Sequence, residues 1–152
     1  LLILEGFQAG LSWAIILKKR KAFRQAFHQF DPQKVAQMTN EELKALEKNR
    51  EIIRNKKKIA AARQNAQVFL RIQKEFGSFN AYVWPFVGGK PKVNHWKQWS
   101  DVPCLSEESQ TLSHDLKKRG MTFVGPKIIY SYLQAAGLIN DHLVSCPKNP
   151  LF

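Results

Sequence analysis

The 152 residues amount to about one domain, long enough to bury a single core, and apolar and charged fractions of 44% and 24% place the chain among ordinary globular proteins. Lys and Arg outnumber Asp and Glu 24 to 12, leaving +12, which favours a polyanionic partner, nucleic acid before membrane, over a merely solvated basic surface. Two cysteines, Cys104 and Cys146, exclude a disulfide framework and suit a reducing compartment, while the longest apolar run, Trp13 to Leu17, is too short for a membrane span.

The apolar start, Leu1–Leu4, reads as the tail of a helix whose beginning lies outside the sequence; a lost leader could also explain it. Ser12 is placed to cap a helix running through Trp13, Ile16, Leu17, Phe23 and Phe27, spaced for one buried face. Asp31-Pro32 ends that helix and starts another, with Asp as cap and Pro at the first helical position. Thr39-x-x-Glu42 is a capping box ahead of Leu43 and Leu46. Residues 51–76 read as a long amphipathic helix, basic outside and closed by Gly77. Ser78 caps a short aromatic helix with Phe79, Tyr82, Val83 and Trp84, and a long loop, VGGKPKVNHWKQWSDVP, follows. Ser106 caps a helix ending in Lys117-Lys118-Arg119, and Pro126 begins the last long helix, which stops at Gly137. Strand signals are almost absent. The pattern is all-α, a compact single helical domain over residues 1–152.

The stretch KKRGMTFVGPKIIYSYLQAAG predicts two helices joined by a tight turn, a hairpin spanning about residues 112–137. Gly120 and Gly125 bound the turn, which at both glycines permits positive φ, and Pro126 preorganises the second helix. Thr122, Phe123, Val124 and Lys127 complete a region whose backbone N–H groups suit phosphate oxygens; such contacts position DNA without reading it. An ordinary glycine-capped helix connection is the alternative on spacing alone. Lys117, Lys118, Arg119 and Lys127 add to the phosphate reading, as could Lys18–Lys21 with Arg24 and part of residues 50–63. About six phosphate contacts give a salt slope of log K near −5 on duplex DNA.

LEGFQAGLSW, FHQFDP, FVG followed by YSYLQAAG, and NDHLVSC occur together and in order over essentially the whole chain. In these motifs the sequence resembles the 3-methyladenine DNA glycosylase I family, bacterial members of the helix-hairpin-helix glycosylase superfamily. The resemblance implies a cytoplasmic, monofunctional DNA repair enzyme that flips 3-methyladenine out of alkylated double-stranded DNA. Hydrolysis of the N-glycosidic bond then releases free 3-methyladenine and leaves an abasic site. It implies no membrane partner, and a monomer is expected. The superfamily's usual catalytic aspartate has no counterpart after the hairpin, where the sequence reads SYLQAAGLIND.

The chemistry suits such a substrate. Alkylation at N3 makes adenine cationic, so it departs neutral and a strong general acid is not required. An ionised glutamate only accepts hydrogen bonds, and adenine offers its amino group. The resemblance gives Glu5 the catalytic and base-reading role and Trp13 the aromatic wall that stacks on the extruded base; on spacing alone Glu5 could be a helix-end charge and Trp13 core. Gln8, Ala9, Gly10 and Leu11 fit a loop that wedges into the duplex and fills the vacated stack.

His142 and Cys146, four residues apart, are spaced to share one zinc ion. The resemblance implies a structural zinc completed by a Cys and a His from an N-terminal segment that the sequence does not contain, so the ion is expected to be absent or weakly held. The alternative reading is a truncated homologue that only binds DNA without sequence preference; a protein-interaction domain is a weaker third.

Overall fold

A computed structural model describes residues 1–149. It is helical, as the punctuation predicts. In chain order come α1 (Leu2–Gln8), α2 (Trp13–Lys18), α3 (Arg20–Ala26), α4 (Pro32–Ala36), α5 (Asn40–Leu46), α6 (Lys56–Phe76), α7 (Phe79–Val83), α8 (Glu107–Lys118) and α9 (Pro126–Ala135). Two residues each, β1 (Lys92–Val93) and β2 (Ile139–Asn140) pair in parallel, Lys92 opposite Ile139 and Val93 opposite Asn140. No alternation in the sequence announces this pair; it ties the long loop to the end of the chain.

Two apolar clusters make the core. The first gathers Leu4, Phe7, Ile16, Phe23, Phe27, Val35, Leu43 and Ile59, with the Phe7 ring 4.6 Å from Phe23 and 5.7 Å from Phe27. Each fully buried ring contributes roughly 1.5–3 kcal/mol. The second gathers Val68, Ile72, Tyr82, Leu112, Leu116, Ile129, Leu133 and Ile139. The long helix α6 supplies both, Ile59 to Ala66 on one side and Val68 and Ile72 on the other. Helix α1 lies where they meet: Leu4 and Phe7 belong to the first cluster, Leu2 packs on the second, and the four residues Leu4–Phe7 are all buried.

Most caps form as expected. Asp31 accepts from the Gln33 and Lys34 amides, Thr39 and Glu42 form the reciprocal box, and Ser78 and Ser106 cap through their hydroxyls. Five expectations need correction. Ser12 makes no side-chain cap, and Leu17 is 56% exposed rather than buried. The helix expected through Phe27 is two helices, broken at Lys19, whose ammonium reaches the carbonyls of Arg50 and Glu51. The long helix starts at Lys56, not residue 51, because the Asn55 side chain caps the Lys58 amide. Gly125 has an ordinary φ of −61°, and the left-handed residue within the turn is Phe123, at φ +55°.

Candidate functional site

The turn between α8 and α9 is held from outside by α6. Asn65 grips Thr122 on both sides: its amide donates to the Thr122 carbonyl at 2.8 Å, and the Thr122 N–H donates to its Oδ1 at 2.9 Å. Gln64 donates to the Gly120 carbonyl at 2.5 Å, and Arg71 to that of Arg119 at 3.1 Å. From α8, the buried Ser113 hydroxyl donates to the Val124 carbonyl at 2.6 Å. These bonds fix a turn in which an aromatic residue occupies the left-handed region, a conformation unfavourable for any side chain. Gly120 takes φ +101°, while Gly125, with Pro126 behind it, is the N-cap of α9. Among the described residues no acceptor takes the N–H of Phe123, Val124, Gly125 or Lys127. Those donors lie at and just before the N-terminus of α9, where unpaired backbone N–H groups and the helix dipole favour an anion. Thr122 is not among them, since Asn65 already takes its N–H.

Helix α1 packs directly on this turn. A Cβ on Gly6 would sit 3.5 Å from both Cβ and O of Phe123, ordinary van der Waals contact, which places this face of α1 directly against the turn. Beside it, Glu5 is 0% exposed, and neither carboxylate oxygen has a hydrogen-bond partner among the described residues. Burial pushes its pKa up to about 7, the Leu1 amino group opposing in part. Near neutral pH this carboxyl is poised between its two forms.

The C-terminal end of α1 has a built partner instead. Lys58, buried on α6, donates to the carbonyls of Phe7 at 2.9 Å and Ala9 at 2.5 Å, with its ammonium 5.7 Å from the Phe123 ring centroid. Burial holds its pKa below the usual lysine value. The turn that follows closes on itself: the Leu11 N–H donates to the Gln8 carbonyl and the Gln8 amide to the Leu11 carbonyl, both at 2.7 Å. Gly10 takes φ +78° at its apex and is exposed, whereas Leu11 is half-buried against the first cluster.

Trp13 is half-buried against the same cluster and lines an open groove of about 930 Å³ with Lys90, Trp99, Asp141 and His142. Glu5 does not line this groove, so the structure does not bring Glu5 and Trp13 into one cavity. A second cleft, of about 530 Å³, joins Gln8, Ala9 and Gly10 to Trp99, Lys127 and Ile128. Here the Gln8–Gly10 turn and the first turn of α9 share one space. Asp141 anchors the floor of the groove: Asn94, Trp96, Tyr130 and Gln134 donate to it at 2.5–2.7 Å.

Residues 1–149 match the methyladenine glycosylase family. The chain belongs to that family. It is 45% identical over 144 residues to a DNA-3-methyladenine glycosylase of Haemophilus influenzae, covering 95% of this chain and 78% of that protein. It is 46% identical to DNA-3-methyladenine glycosylase 1 of Escherichia coli, covering 96% and 78%. A solved single-substitution variant of 3-methyladenine DNA glycosylase I, in complex with 3-methyladenine, superposes with a TM-score of 0.95 at 42% identity, over 98% of this chain and 80% of that one.

Within this methyladenine glycosylase fold, His142 and Cys146 do meet, with Sγ 3.6 Å from Nδ1. Among the described residues no third His, Cys, Asp or Glu joins them in a metal-sized group. Two donors do not make a tetrahedral site, and no step of the reaction is assigned to an ion there. Sequence reasoning missed Lys58 and Asn65. Their signal was present: both fall on the apolar stripe of α6 with Ile59, Ala62, Ala66 and Ile72, where a polar side chain needs a partner.

Proposed function

We propose that this chain excises 3-methyladenine from alkylated DNA, hydrolysing the N-glycosidic bond and leaving an abasic site, with Glu5 as the group that meets the base. Membership of the methyladenine glycosylase family supports the reaction. The observation that carries the site is Glu5, a sealed carboxyl that no described residue satisfies. A buried carboxylate without donors is unfavourable, and a ligand that brings a positive charge and N–H donors relieves that cost as it binds. The 3-alkylated adenine is such a ligand. It needs no strong acid to leave, so an ionised Glu5 serves by holding the base and by stabilising positive charge that develops on the sugar. Because Glu5 is wholly buried, contact requires its side chain to turn out or the base to enter between α1 and the hairpin turn.

The free N–H groups at the start of α9 support phosphate anchoring, with Phe123, Val124, Gly125 and Lys127 positioning the strand; the Gly120 N–H is already taken by the Lys117 carbonyl. The turn at Gln8–Leu11 supports the wedge, its exposed Gly10 apex braced from behind by Lys58. Leu11 is turned toward the core, so Ala9 and Gly10 are the better placed to enter the duplex. Trp13 supplies an aromatic face to the neighbouring groove. A structural zinc on His142 and Cys146 needs two further ligands that no described residue provides.

The same free N–H groups and the net charge of +12 also suit binding without excision. One assay separates the readings. The protein is incubated with methylated duplex DNA, and both released bases and abasic sites are quantified. Free 3-methyladenine matched by new abasic sites supports the glycosylase; tight binding with neither product establishes the binding module.

A further inference from the structure

We propose that Trp99 is a DNA contact, its indole stacking on a nucleotide beside the extruded base, so that the loop at residues 88–104 forms another wall of the DNA cleft. The proposal rests on the glycosylase reading for the position of the duplex, but its test does not depend on excision. Trp99 is 72% exposed, the most exposed large apolar side chain among the described residues, while Trp13, Trp84 and Trp96 are half-buried. It stands on a braced turn: the Asp101 N–H donates to the Gln98 carbonyl at 3.1 Å, the Val102 N–H to that of Trp99 at 3.2 Å, and the Gln98 amide to the Asp101 carboxylate at 3.1 Å.

The loop behind it is moored as well. β1 pairs with β2, Lys92 pairs with Glu108, and Asn94 and Trp96 both donate to Asp141. A tip so preorganised loses little freedom on binding, which is what a stacking platform needs. Its place is equally specific. Trp99 lines the cleft between the wedge turn at Gln8–Gly10 and the first turn of α9 at Lys127 and Ile128, and it also lines the groove that holds Trp13. Lys90 and Lys97, exposed on the same loop, make no ion pair among the described residues. An exposed indole set among unpaired cations is the pairing by which proteins hold unstacked nucleotides, whereas a docking face for a protein partner presents a wider apolar patch.

The test is fluorescence anisotropy on a labelled duplex carrying a tetrahydrofuran abasic analogue, with the intact protein and its Trp99→Ala, Trp99→Phe and Lys127→Ala variants. Stacking predicts that Trp99→Ala weakens binding about five- to hundred-fold and that Trp99→Phe restores most of it. It also predicts an unchanged salt slope for Trp99→Ala, because no phosphate contact is lost, while Lys127→Ala lowers the slope by about 1. Binding of Trp99→Ala within two-fold of the parent overturns the proposal, as does a loss that Phe fails to restore. If the parent protein releases no 3-methyladenine yet the Trp99 pattern holds, excision falls and the stacking contact stands.

Discussion

Glu5 and Asp141 are both carboxylates shut inside the protein, and their surroundings treat them in opposite ways. Burial pushes Asp141 up, but hydrogen bonds from Tyr130, Trp96, Asn94 and Gln134 outweigh it and hold the group below the usual carboxylate range. Glu5 has the burial without a donor among the described residues, and its pKa rises to about 7. Asp141 is therefore a structural anchor, satisfied by the chain itself. Glu5 is a group the fold leaves unsatisfied, and on the proposed reading the substrate satisfies it. Satisfied buried charges hold folds together; unsatisfied ones at a seam between elements mark chemistry.

The two carboxylates should respond differently to substitution and to pH. The largest effect is expected at Asp141. Asp141→Ala strands the Tyr130 hydroxyl and three further donors, at a cost of about 3–5 kcal/mol read by urea unfolding. Next comes the pH dependence of Glu5. Its folded pKa lies above the ordinary value, so the native state holds the proton more tightly and stability falls as pH rises from 4.5 to about 7. Titrated unfolding should show wild type losing up to about 3 kcal/mol relative to Glu5→Gln across that window. Asp141 gives the opposite slope, its contribution vanishing as pH drops below the ordinary aspartate value. Lys58→Met, which leaves the Phe7 and Ala9 carbonyls unpaired, should cost about 1–3 kcal/mol without moving the Glu5 transition. The smallest effect is at exposed His142, next in sequence to Asp141: His142→Ala should stay within about 0.5 kcal/mol by the same unfolding assay in metal-free buffer.

Much of the fold was legible because helix caps are local. The Asp31-Pro32 start, the Thr39–Glu42 box and the Ser78 and Ser106 caps each need only a few adjacent residues. What failed depends on distant partners. The break at Lys19 goes with a side chain that reaches Arg50 and Glu51, and the left-handed Phe123 persists beside Asn65 and Ser113, which grip the residues on either side of it. Positive φ was assigned to Gly125 because glycine tolerates it; the tertiary bonds imposed it on an aromatic residue instead. Glu5 and Trp13 were picked out through the family's motif, whereas that Glu5 is sealed with no donor among the described residues, and that Trp13 lines a groove which Glu5 does not, could not be read from residue types. Lys58 passed for part of a solvated basic face because its charge hid its place on the buried stripe of α6.

On the proposed reading, Glu5 is kept for the base at the expense of the fold. Single-turnover release of 3-methyladenine from methylated duplex DNA by wild type and Glu5→Gln tests it directly. The Gln variant, folded and no less stable at pH 8, should release the base at least about a hundred-fold more slowly. Release at the wild-type rate by Glu5→Gln would contradict it.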